Sequence, residues 1–147
     1  MKKVFLFLSL AAITIISCKK EATKSCPTSM ADLAGTYSFV KVESGGGGTY
    51  SDVTSYYTEA CERDNKLTLN ANGTYTYTDA GTVCTTDESS TGNWDIDITG
   101  HLNIGSVGPF NLDDLTIISF DCSTLVAEAD FGTVGSTPIK VRFTFRK

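Results

Sequence analysis

The chain has 147 residues, with 12 basic side chains against 17 acidic ones, a single histidine and five cysteines. That length holds one core and excludes two comfortable domains. The acidic balance excludes the basic face that supplies most of the affinity for nucleic acid, and it fits a solvated exterior.

Met1-Lys2-Lys3 gives a basic start, Val4 to Ile16 is an apolar run broken only by Ser9 and Thr14, and Ile15-Ile16-Ser17-Cys18 ends it. The run is too short to span a bilayer comfortably and has the pattern of a cleaved export signal. Its last residues resemble a bacterial lipobox, in which cleavage precedes a cysteine that is then acylated. Residues 1–17 are therefore expected to be a signal peptide, Cys18 the lipidated N-terminus, and residues 18–28 a polar tether. Acyl chains such as palmitate would hold the domain on a membrane surface without a spanning helix. Loss of Lys2 and Lys3 leaves 10 basic against 17 acidic side chains, a net of −7.

Residues 29–147 are then the folded domain. Leu33 to Val42 is rich in β-branched and aromatic residues and reads as the first strand. Ser44 to Ala60 contains Gly45 to Gly48, then Tyr50, Tyr56 and Tyr57. Four glycines in a row predict a flexible loop, because glycine loses the most backbone entropy on ordering. No Gly-Lys-Ser/Thr follows, which argues against a phosphate loop. The tyrosines form a lid or anchor the loop.

The most informative stretch is Lys66-Leu67-Thr68-Leu69, the turn Asn70-Ala71-Asn72-Gly73, and Thr74-Tyr75-Thr76-Tyr77-Thr78. A three-residue loop with Gly73 left-handed registers Leu69 opposite Tyr75 and Leu67 opposite Tyr77, so all four share one face and the threonines take the other. Extending the register brings Cys61 opposite position 83, one residue from Cys84, an offset that one bulge absorbs. With Cys18 lipidated, four cysteines remain; in an exported chain they read as two bridges, for which three pairings exist. The register favours Cys61 with Cys84 and leaves Cys26 to Cys122 by elimination. No pair has C-x-x-C spacing and His101 is far in sequence from every cysteine, so no zinc site is expected.

Asp79 to Thr91 is polar and turn-like. Asn93 to Thr99 and Leu102 to Ile104 predict a hairpin turning at Gly100-His101, with Ile96 and Ile98 on the apolar face and Asp95 and Asp97 on the solvent face. Gly105 to Pro109 breaks the pattern before a minimal strand, Phe110 to Leu112. Leu115 to Phe120 and Thr124 to Ala129 flank a turn at Asp121-Cys122-Ser123. In the last strand Ile139, Val141, Phe143 and Phe145 alternate with Lys140, Arg142, Thr144 and Arg146, a period of two. No segment sustains a helical period. The fold class is all-β, a small antiparallel meander barrel of about eight strands, since closure removes the edges an open sheet must protect.

Leu33-Ala34-Gly35-Thr36-Tyr37, the approach from Cys61 to Leu69, Asn72-Gly73-Thr74-Tyr75, Cys84 and Gly92-Asn93-Trp94 follow one another over roughly residues 33–130. In that order they resemble the small lipocalin-like domains of lipoproteins from Bacteroidetes-type bacteria. Gly35-Thr36-Tyr37 is similar to the Gly-x-Trp of lipocalin first strands, with Tyr in place of Trp. The resemblance implies an eight-stranded lipocalin-like barrel in the bacterial cell envelope, lipid-anchored, on the periplasmic or surface face of the outer membrane. It implies little about activity.

No Gly-x-Ser-x-Gly elbow and no His-Glu-x-x-His are present, and His101 sits at a turn. The carboxylate pairs Asp87-Glu88 and Asp113-Asp114 are adjacent and diverge on a strand, and Asp95 with Asp97 faces solvent. The chain is therefore not expected to be an enzyme, and no cofactor or metal-ligand set is expected. Of the aromatic residues, Phe143 and Phe145 read as core. A tyrosine inside a barrel must find a partner for its hydroxyl, which a polar-lined cavity can supply. Tyr37, Leu67, Leu69, Tyr75, Tyr77 and Trp94 are thus the expected ligand-binding set, around a small apolar or amphipathic molecule. The alternative is a protein-interaction or inhibitor-type surface module, which a filled interior with an exposed apolar patch would favour.

Overall fold

The computed structural model of the protein describes residues 25–147, so the expected signal peptide, Cys18 and the first part of the tether lie outside the described residues. Ser29 caps a one-turn helix, α1 (Met30–Leu33), by accepting from the Asp32 N–H. Strand β1 (Gly35–Gly46) follows, then β2 (Thr49–Asp52), a helical turn α2 (Thr54–Tyr57), β3 (Lys66–Leu69) and β4 (Thr74–Thr78). After a long loop come β5 (Ser90–Asn93), β6 (Asp95–Ile96), β7 (His101–Asn103), β8 (Ser106–Val107) and β9 (Phe110–Asn111). The chain ends with β10 (Leu115–Phe120), β11 (Thr124–Val134) and β12 (Thr137–Arg146).

The main sheet runs β5-β4-β3-β1-β12-β11-β10-β7-β6, with every registered pair antiparallel. Its two end strands, β5 and β6, are separated in sequence by Trp94 alone. Residues 90–96 therefore pair with β4 through their first half and with β7 through their second, and between the two the Trp94 N–H donates to the Gly73 carbonyl at 2.8 Å. One continuous segment thereby joins both ends of the row. The result is a nearly closed antiparallel barrel whose first long strand, β1, pairs with its last, β12.

The register of the central hairpin is as expected, with Leu69 opposite Tyr75, Leu67 opposite Tyr77, and Gly73 left-handed at φ +85°. Strand directions define two poles. One carries α1, the 70–73, 97–100 and 121–123 turns and the C-terminus; the Cys26–Cys122 disulfide closes it, with Cα atoms 5.4 Å apart. There the Cys26 N–H donates to the Phe120 carbonyl, and Leu33 is fully buried beneath the barrel. The other pole carries the β1–β2 and β11–β12 turns, the 104–114 connection and the Cys61–Cys84 disulfide, with Cα atoms 5.5 Å apart. Both bridges match the expected pairing.

Several expectations are corrected. Leu33 belongs to α1, not to the first strand. Gly45 and Gly46 extend β1 instead of forming a flexible loop, because neighbouring backbones press on both. A Cβ would lie 2.0 Å from the Thr49 carbonyl oxygen at Gly45 and 2.2 Å from that of Pro138 at Gly46. Gly47 and Gly48, both at positive φ, then make the two-residue turn into β2. Ile98 is fully exposed, since pairing stops at Ile96 and the Asp97 carboxylate closes the turn by accepting from the N–H groups of Thr99 and His101.

The break at Gly105 to Pro109 is a second hairpin, β8–β9, forming a two-stranded sheet of its own. It folds into the barrel, with Val107 fully buried and Phe110 stacked on Phe39 at 4.7 Å between centroids. Tyr37, Phe145, Phe39 and Phe110 thus form a chain of ring contacts from the closed pole to the mouth.

Candidate functional site

The six residues expected to bind ligand are brought together inside the barrel, each 6 % exposed or less. Their polar atoms have partners within the protein. Tyr37 donates to the Leu33 carbonyl (2.5 Å), Tyr75 to the Ser106 carbonyl (2.9 Å) and the Trp94 indole N–H to the Asn70 carbonyl (2.9 Å). The Tyr77 hydroxyl accepts from the Asn65 amide at 3.0 Å. Burial pushes the Tyr37 and Tyr77 hydroxyls above their ordinary pKa. In this conformation the six form a packed interior, with Leu67 and Leu69 between the rings, and not the wall of an open cavity.

The accessible apolar space lies above them, at the mouth. A cleft of about 130 Å³ is lined by Tyr57, Phe110, Ala129, Phe131, Val141 and Phe143, with Pro109 and Asn111 at its edge. The lining has several structural causes. Val141 and Phe143 continue the inward face of β12 and pair with Ala129 and Ala127, whose small side chains leave the gap. Phe131 is the extra residue of a bulge between the Asp130–Lys140 and Gly132–Ile139 pairs, where a rim strand re-aims a side chain. It is 69 % exposed although it lines apolar space. Tyr57, the only one of the three expected lid tyrosines to line this cleft, reaches it from α2 and lies 6.2 Å from the Phe110 ring. Tyr56 is exposed, and Tyr50 turns to the barrel exterior.

Sequence reasoning missed this cleft. The alternation Ala127, Ala129 continues to Phe131, and following it past Ala129 would have placed that ring on the inward face. Nothing local in the sequence brings Tyr57 to Phe110.

Charged groups gather elsewhere. On the outer face, Glu128 is buried and receives the Tyr50 hydroxyl, Lys140 (2.9 Å) and Arg142 (2.9 Å), whose guanidinium lies 3.8 Å from the Tyr50 ring centroid. Burial raises the Glu128 pKa, but the three hydrogen bonds outweigh it and hold the carboxyl below its ordinary value. Beside the Cys61–Cys84 bridge, Glu59, Glu62 and Glu88 line a polar hollow of about 140 Å³. Burial, then the charges of Glu62 and Asp79, pushes the Glu88 carboxyl up.

His101 Nδ1 lies 2.6 Å from Asp114 Oδ1, with Asp97 close by. The Asp97 carboxylate is committed to its turn, where hydrogen bonds from Thr99 and His101 lower its pKa to about 2. Glu59, Cys61 and Cys84 also converge, but both sulfurs are in the disulfide and are not thiolate donors. Among the described residues no helix is long and apolar enough to cross a membrane.

The lipocalin-like domain family matches the chain over residues 33–127. No curated protein and no solved structure matches it. The matched stretch runs from the end of α1 into β11 and includes both the central hairpin and the hairpin that fills the mouth. It covers well over half of the sequence and coincides with a nearly closed antiparallel barrel, and the chain belongs to the family of lipocalin-like domains.

Proposed function

We propose that this domain binds a small apolar or amphipathic molecule at the open pole of its barrel and catalyses no reaction. The observation that carries the reading is the cleft between Phe110, Phe131 and Phe143. Its lining is almost wholly apolar, and one side, Phe131, is held in solvent by a bulge. An exposed ring over a small gap gains apolar contact when the gap is filled, which drives binding. Thermal melts with medium-chain fatty acids and small aromatic ketones test this. A concentration-dependent rise in Tm that Phe131→Ser removes supports the site, and no rise with any compound at millimolar concentration would sink it.

The domain is further proposed to be exported, cut before Cys18 and held on the outer membrane by acyl chains at that residue. The support is the apolar run ending in Ile15-Ile16-Ser17-Cys18. Because Cys26 is pinned to Cys122 at the closed pole, a chain anchored at Cys18 would enter the domain at the pole opposite the cleft. Mass spectrometry of the mature N-terminus checks this, and an unmodified Cys18 within a mature chain would refute it.

A second reading, a module that contacts another protein, is favoured by the filled interior together with Tyr56, Phe131 and Val134, all exposed on segments of the open-pole side. It is distinguished by binding that needs these side chains but shows no response to small molecules.

A further inference from the structure

The hairpin β8–β9 occupies the position that a ligand would take inside the barrel. Val107 is fully buried and Phe110 nearly so, and the hairpin meets Tyr75 through Ser106 and Tyr77 through Gly108, two residues of the expected ligand-binding set. Despite this burial the hairpin is no part of the barrel wall. Its ladder is internal, between Ser106–Val107 and Phe110–Asn111, and its neck is closed by its own bonds from the Ile104 N–H to the Leu112 carbonyl and from the Leu112 N–H to the Gly105 carbonyl. Among the described residues one hydrogen bond ties it to the wall, from the Tyr75 hydroxyl to the Ser106 carbonyl. The remaining attachment is apolar contact, chiefly Phe110 on Phe39 and Phe143. At the neck, Gly105 has positive φ with nothing within 4 Å of where a Cβ would stand, and Asp114 also has positive φ.

A unit with satisfied internal hydrogen bonds can leave as a body without stranding backbone polar groups. Its departure exposes the Val107 and Phe110 side chains and frees the Tyr75 hydroxyl. Whatever replaces it must return both, apolar surface to the rings of Phe39 and Phe143 and an acceptor to Tyr75. We propose that β8–β9 is a displaceable plug and that it mimics the ligand, a compact apolar body, aromatic or branched, carrying a neutral hydrogen-bond acceptor such as a carbonyl. The body takes the place of Phe110 and Val107, and its carbonyl replaces that of Ser106 as the acceptor for the Tyr75 hydroxyl. This rests on the reading of the domain as a binder of small apolar molecules. It adds that the cleft leads to a deeper site which the plug keeps shut until the ligand competes for it.

Acetophenone and ethylbenzene, of nearly equal size and shape but with and without a carbonyl, test the proposal on the oxidised domain by NMR titration. The expected result is that acetophenone binds about tenfold more tightly, the difference made by one buried hydrogen bond. On binding, the nuclear Overhauser contacts between the Phe110 and Phe39 rings disappear, and in Tyr75→Phe the preference for acetophenone is lost. If either compound binds at Phe131 while the Phe110–Phe39 contacts persist, the plug does not move and the inference falls, leaving the cleft and the proposed function standing. If neither these nor the fatty acids and ketones above bind, both readings fall together. The wild-type spectra decide between these outcomes even if Tyr75→Phe does not fold.

Discussion

Gly46 and Pro138 lie so close across the β1–β12 edge that a Cβ on Gly46 would stand 2.2 Å from the Pro138 carbonyl oxygen. That obstacle is backbone and cannot swing aside, so Gly46→Ala must push two strands apart. Overpacking of this kind costs about 1 to 3 kcal/mol. Next to it, Gly47 has nothing within 4 Å and only its φ of +60° argues against a side chain. Gly47→Ala is expected to cost about 1 kcal/mol, the usual penalty of a left-handed residue. Urea denaturation of the two variants checks the order, and Gly47→Ala as the more harmful would show that the turn and not the close approach governs this corner.

Glu128 is the acceptor on which the outer face of β2, β11 and β12 converges, through Tyr50, Lys140 and Arg142. Removing it leaves three donors facing one another, two of them cationic. Glu128→Ala is expected to cost about 2 kcal/mol, the scale of a hydrogen bond to a charged group, since Lys140 and Arg142 are partly exposed and their attraction is screened. Tyr50→Phe should cost less because both cations keep their partner. Chemical denaturation at low and high salt measures this, and a Glu128→Ala protein as stable as wild type would make the cluster ornamental.

The two disulfides close loops of very different length, with sequence separations of 96 for Cys26–Cys122 and 23 for Cys61–Cys84. Loop-closure entropy assigns about 4 to 5 kcal/mol to the longer and about 3 kcal/mol to the shorter. Cys26→Ser with Cys122→Ser should therefore destabilise the domain more than Cys61→Ser with Cys84→Ser. The second pair of changes should instead loosen the loops beside the mouth, raising amide exchange from residue 79 to 89 ahead of global unfolding. Equal exchange in both variants would contradict that division.

The parts of the fold legible in the sequence are those fixed by local parity. Leu67, Leu69, Tyr75 and Tyr77 declare one inward face because a three-residue loop with a left-handed Gly73 permits one register, and the alternation from Ile139 to Phe145 is unambiguous for the same reason. What stayed hidden depends on approach in space. The strand character of Gly45 and Gly46 comes from Thr49 and Pro138 on either side, and no propensity of glycine carries that information. The plug was illegible because Gly105 to Pro109 looks like a break whichever way the segment turns. That Val107 and Phe110 turn inward shows only in their burial and in the ring contacts of Phe110 with Phe39 and Phe143. The cleft then forms where the plug, the Phe131 bulge and Tyr57 meet, from three stretches far apart in sequence.

Acid stability is expected to reside largely in the turns, and Asp121 shows how. Its carboxylate accepts from the N–H groups of Ser123 and Thr124 and from the Ser123 hydroxyl, and thereby holds Cys122 at φ +76°, a conformation a non-glycine residue adopts only under constraint. These hydrogen bonds, led by that from the Thr124 N–H, lower its pKa from 3.8 to about 2. A carboxyl depressed on folding contributes stability that is complete above the unfolded value and is lost as pH falls from there through the folded one. The window here is pH 4 down to about 2. Asp121→Asn keeps an acceptor but cannot titrate, so it should melt below wild type at pH 7 and converge on it near pH 2. Because Cys122 anchors the Cys26 bridge, the measurement belongs on oxidised protein, where the turn cannot relax by reduction. A gap between the two proteins that stayed constant from pH 7 to pH 2 would mean that Asp121 holds the turn by shape alone and that its charge is immaterial.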